Sequence, residues 1–146
     1  MQVALSRFPV NNIQVKGLLG AALTISLFIT GLSTASANDA IGMWRTESSE
    51  RGYLHIEFKQ CDDSICGTIH SAYDLNDEPN VDYEHVGKKM VWDMNATGDG
   101  RWVGGKIWDP VGDKTYKSKM SLSGDELAVS GCVMVFCRSQ TWTRVQ

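Results

Sequence analysis

After its first 37 residues, this 146-residue chain has no segment whose apolar positions recur at helical spacing, which argues for an all-β domain. Basic charge is also scarce. Arg7 and Lys16 are the only charges in residues 1–37, so residues 38–146 carry 12 basic against 17 acidic side chains, a net charge of −5. Without a basic stripe to displace counterions from phosphates, nucleic acid is excluded as a partner. Anionic membrane surfaces are disfavoured for the same reason. Reactive motifs are missing too. The three histidines, His55, His70 and His85, form no His-x-x-x-His pair, and no Ser or Cys lies in a nucleophile motif. The expectation is a chain with no catalytic residues, no cofactor and no metal.

Long apolar runs occur only near the start. An apolar stretch from about Gly17 to Leu32 follows the two basic residues, and Ala35-Ser36-Ala37 then supplies a small-x-small cleavage pattern. A membrane anchor is the alternative. The stretch is interrupted by Gly17, Gly20, Thr24, Ser26, Thr30 and Gly31, short of the ~20 mainly apolar residues a span needs. The reading is therefore a signal peptide over 1–37 and a single domain over 38–146, periplasmic or secreted, with no stable membrane insertion. No Cys precedes Cys61, so a lipid-modified N-terminal cysteine is excluded.

The four cysteines, Cys61, Cys66, Cys132 and Cys137, all lie in the exported part, and an even count there argues for disulfides. Structural zinc is the competing use of two cysteine pairs, but exported thiols tend to oxidise first. If each pair brackets a hairpin turn, both bridges are local. Cross-bridging would then need sulfurs a barrel length apart, beyond the ~5.5–6 Å Cα separation of a disulfide.

Eight segments read as strands: Ile41–Glu47, Tyr53–Gln60, Ile65–Ala72, Lys88–Asn95, Arg101–Trp108, Thr115–Leu122, Leu127–Cys132 and Arg138–Val145. The second alternates Leu54, Ile56 and Phe58 with His55, Glu57 and Lys59, as a half-buried strand requires. Turn residues separate them, among them Thr97-Gly98-Asp99-Gly100, Asp109-Pro110-Val111-Gly112-Asp113 and Ser123-Gly124-Asp125. Gly104-Gly105 inside the fifth suggests a bulge of the kind that curves a barrel. The pattern fits a single eight-stranded antiparallel up-and-down barrel, which removes both sheet edges. Its last strand returns to the start of its first, so Arg144 or Trp142 can meet Trp44. Arg144 over an indole would then seal the closed end, a structural role.

Several motifs occur together: Gly42-x-Trp44; Cys61 with Cys66-Gly67-x-Ile69; Trp102-x-Gly104-Gly105-x-Ile107-x-Asp109-Pro110; Lys114-Thr115-Tyr116; Leu127-x-Val129-x-Gly131-Cys132; and Ser139-Gln140-Thr141-Trp142-Thr143-Arg144. As a set they resemble the bacterial domain-of-unknown-function family 2147. The resemblance implies a small exported protein with a lipocalin-like (calycin-type) barrel, and it implies no activity. The opening turn, Ser48 to Gly52, is shorter than the covering loop of lipocalins, which disfavours a large ligand.

Such a barrel encloses either a ligand cup or a packed core. Met90, Trp92, Trp102, Trp108, Tyr116 and Met120 are the candidate cup wall, since Met and aromatic side chains make an adaptable apolar surface. The leading expectation is a non-catalytic binder of a small hydrophobic or amphipathic ligand. The connection Tyr73–Gly87 carries seven acidic or amide residues, Asp74, Asn76, Asp77, Glu78, Asn80, Asp82 and Glu84. It fails the calcium-loop pattern, because Pro79 stands where Gly is needed. It reads as a solvated rim. The competing expectation is a filled barrel that uses this loop to contact an envelope protein partner.

Overall fold

The computed structural model describes residues 39–146, so the expected leader lies outside the described residues. Eight strands follow one another: β1 (Gly42–Arg45), β2 (Tyr53–Cys61), β3 (Ser64–Tyr73), β4 (Lys89–Gly98), β5 (Arg101–Asp109), β6 (Lys114–Ser123), β7 (Glu126–Val133) and β8 (Phe136–Arg144). Each pairs antiparallel with its neighbour, and β8 returns to β1, closing the barrel with Trp44 opposite Arg144. Closure leaves no open strand edge among the described residues.

The ladder shifts register at several points, and two of these bulges bear on the barrel interior. Between β3 and β4, Ile65 pairs with Met94 but Gly67 pairs with Val91, so β4 holds one extra residue there. Asp93 absorbs it at φ 57°. Between β5 and β6, Trp102 pairs with Met120 and Gly105 with Ser118, so β5 carries an extra residue around Gly104, at φ 76°. Gly105 is close-packed, because a Cβ there would collide with the Met94 sulfur and lie 2.8 Å from the Trp92 carbonyl oxygen.

The half of the barrel around the start of β1 is solid. Trp44, Trp102, Trp142, Phe58, Met94 and Leu127 are all fully buried. Arg144 seals this end. Its Cζ lies 4.2 Å from the centroid of the Trp44 ring, Nη2 donates to the Asp39 carbonyl at 2.6 Å, and Nη1 donates to that of Ile41 at 3.2 Å. The Trp44 indole donates to the Ala40 carbonyl at 2.8 Å. The chain entering β1 is thereby folded over the end of the barrel and fixed there.

Both disulfides are local, Cys61–Cys66 and Cys132–Cys137, with Cα separations of 5.8 and 4.0 Å. Cys132 pairs directly with Cys137 in the ladder, and Val133 pairs with Phe136, so only Met134 and Val135 make the turn. β8 therefore begins at Phe136, two residues before the Arg138 start read from sequence.

Candidate functional site

The opposite end, where the connections β1–β2, β3–β4, β5–β6 and β7–β8 gather, is open. A cavity of about 670 Å³ lies in this mouth. Met90, Ile107, Trp108, Tyr116 and Val129 give it apolar walls, and Glu47, Ser48, Arg138, Ser139 and Gln140 add polar groups. Gly131 helps make the space. It stands opposite Ser118, and a Cβ on it would come no nearer than 3.4 Å to Ile107 and 3.6 Å to Tyr116.

The six candidate wall residues separate into three groups. Met90, Trp108 and Tyr116 line the mouth. Trp102 and Met120 lie deeper, at 1% and 3% exposure in the solid half, and do not border the cavity. Trp92 stands elsewhere, in a separate groove of about 380 Å³ beside the Cys61–Cys66 bridge. The Asp93 bulge explains that displacement. It breaks the period of two, so Val91 and Met94 turn inward, while Trp92 pairs across from the exposed Lys106.

Gln140 carries polarity into this mouth. Trp142 Nε1 donates to Gln140 Oε1 at 2.9 Å. An indole N–H can only donate, so the amide oxygen must face it and the two amide N–H donors remain for another acceptor. Ser118 lies below Tyr116 on the same strand face, opposite Gly131, and does not border the cavity. Its Oγ is buried without a hydrogen-bond partner, as is the Trp102 indole nitrogen.

The β3–β4 connection behaves differently from a free rim. Asp77 Oδ1 accepts from the Tyr53 hydroxyl at 2.9 Å, and the Arg45 guanidinium lies over the Tyr53 ring at 3.7 Å. Gly87 donates to the Ile69 carbonyl at 2.8 Å, and Asn80 to that of Ala72 at 2.9 Å. From this loop the His85 ring meets Trp108 edge-on, with centroids 5.0 Å apart, and Asp113 accepts from the Trp108 indole at 2.9 Å. The loop therefore buttresses one cavity wall from outside, and Tyr73–Gly87 supplies no lining residue.

Beside Tyr53, His55 is half-buried between the Tyr53 and Tyr73 rings, at 5.6 and 4.7 Å. Burial holds its pKa below the ordinary value, and repulsion from Arg45 and His70 adds to the effect. Among the described residues, no three His, Cys, Asp or Glu side chains are arranged to hold a metal ion, and no helix is long and apolar enough to cross a membrane.

Residues 42–144 match the family described as an uncharacterized protein conserved in bacteria, DUF2147. The chain belongs to that family. Among solved structures, protein HP1028 of the human pathogen Helicobacter pylori, which belongs to the lipocalin family, is similar to this DUF2147 member. The TM-score is 0.59 at 15% identity, over 73% of this chain and 82% of that one. At that identity the likeness shows a shared fold, the lipocalin-like barrel. No curated protein matches the chain.

Proposed function

We propose that this barrel is an exported, non-catalytic binder of a small amphipathic molecule held in the mouth. The observation that carries this reading is the division of the barrel interior. One half is packed solid around three tryptophans, while the other leaves about 670 Å³ open. That volume falls within the ~300–1,000 Å³ range of small-molecule sites. Its chemistry suits an amphiphile. Met90, Ile107 and Val129 would take an apolar body, and the Gln140 amide and Arg138 would take a carbonyl, carboxylate or phosphate at the rim.

The two local disulfides accord with an oxidising compartment. The test is a titration of residues 38–146 with medium-chain carboxylates and their uncharged alcohols, read by tryptophan fluorescence. Saturable quenching or a blue shift, stronger for the acid than for the alcohol, is the expected result. No saturable response to either series would count against a ligand cup.

A further inference from the structure

The exposed apolar side chains are not scattered. Among the described residues, nine large hydrophobics are exposed, and eight of them sit at the mouth end, six in its connections and Val133 and Phe136 at the strand ends flanking the β7–β8 turn, Val103 in mid-β5 being the exception. Leu75, Val81 and Val86 are in the β3–β4 connection, Val111 in β5–β6, and the others form the β7–β8 tip. The turns at the opposite end, Asp62-Asp63, Asp99-Gly100 and Gly124-Asp125, hold none.

The tip is the most pronounced case. Met134, Val135 and Phe136 are 89%, 84% and 80% exposed, and the Cys132–Cys137 bridge fixes their position. Met134 also sits at φ 54°, while every other positive φ among the described residues belongs to Asp or Gly. Two-residue hairpin turns favour Asn, Asp or Gly because those residues tolerate this backbone conformation. Turn geometry alone therefore gives no reason for Met here. Its apolar side chain stands there against local backbone preference.

We infer that the β7–β8 tip is a membrane-contacting finger, which seats the mouth of the barrel on the surface of a zwitterionic phospholipid leaflet. Three features select lipid as the occupant. The apolar groups stand at three separate connections of one end, as contact with a plane requires. The finger is convex, and its four apolar residues fall short of the ~800 Å² per partner of a stable protein interface.

The third feature is a pair of cations at the base of the finger. Lys117 lies across from Cys132, Arg138 follows Cys137, and no acidic residue occurs between Gly131 and Arg138. An apolar tip with cations just behind it matches the depth profile of a leaflet, hydrocarbon below phosphate. The chain's net negative charge disfavours strongly anionic surfaces, which leaves zwitterionic lipid. This contact does not depend on whether the cup holds a ligand.

The test is flotation of residues 38–146, disulfides intact, with phosphatidylcholine vesicles at physiological salt, beside a Met134→Asn/Val135→Gly variant. Asn-Gly suits the turn, so the variant should fold with an unchanged or raised Tm. Phe136, which borders the cavity, stays in place. Wild-type protein should float with the vesicles, and the variant's partitioning should fall by about tenfold. Absence of wild-type flotation, or equal flotation of the two, would overturn the inference. So would tip-dependent capture of a protein partner by a chain that ignores the vesicles.

Discussion

Trp142 donates its indole N–H to the side-chain carbonyl of Gln140, two residues earlier on β8, at 2.9 Å. The bond joins the two halves of the barrel, because Trp142 belongs to the solid core and Gln140 to the open mouth. It also fixes which face of the amide a ligand would meet.

Gln140→Glu separates the two roles of that residue. A carboxylate still accepts from Trp142, so the denaturation midpoint should shift little. It offers no N–H donor and adds a negative charge, so affinity for a carboxylate amphiphile should fall about tenfold, with a smaller loss for the matching alcohol. Gln140→Leu should instead lower stability by about 1–3 kcal/mol, because the buried indole N–H loses its partner. Urea denaturation and ligand titration on both variants check this.

Two glycines should respond oppositely to enlargement. Gly131→Leu places a Cβ in ordinary van der Waals contact with Ile107 and Tyr116 at the edge of the cavity, so the barrel should fold and the cup should be blocked. Gly105→Ala forces a Cβ against Met94 and the Trp92 carbonyl, and should cost about 1–3 kcal/mol. Thermal melts and ligand titration of the pair distinguish a space-making glycine from a close-packing one.

Arg144→Ala removes a cation–π contact and two carbonyl hydrogen bonds from the closed end. A loss of about 2 kcal/mol is expected, with ligand affinity unchanged because the mouth is at the other end. Arg144→Lys should recover part of that stability, since it keeps the charge without the planar fork. Guanidinium denaturation curves for the three proteins test the ordering.

The His55 environment sets a pH dependence. Its pKa is lowered in the folded state, so the unfolded chain binds the proton more readily, near its ordinary value of ~6.5. Stability from this group is thus full above that pH and is lost as pH falls toward the folded pKa. The ring is only half-buried, so the effect should be small. His55→Gln should flatten the Tm profile across that window, and an unchanged slope would contradict the account.

How far the chain could be read without coordinates follows from where period two holds. β2 alternates cleanly, and its expected span Tyr53–Gln60 ends one residue short of the observed strand. The return of β8 to β1 was legible from Trp44 and Arg144, which are paired in the sheet. Trp92 was misplaced because the Asp93 bulge shifts the phase by one residue, and Asp gives no warning of a bulge as Gly does at Gly104. Trp102 and Met120 face inward as expected, but strand alternation says nothing about depth along the barrel axis. Gln140 was missed because Arg138–Thr141 is polar on both faces, so only its two-residue spacing from Trp142 marks it as inward.

The central claim is that the mouth holds a ligand. Native mass spectrometry of the protein recovered gently from its host, beside Gly131→Leu prepared in the same way, tests it most directly. The account predicts a small-molecule adduct on the wild type that leaves on denaturation, and a bare mass for the variant. Bare masses for both, with no saturable response to any added amphiphile, would contradict it.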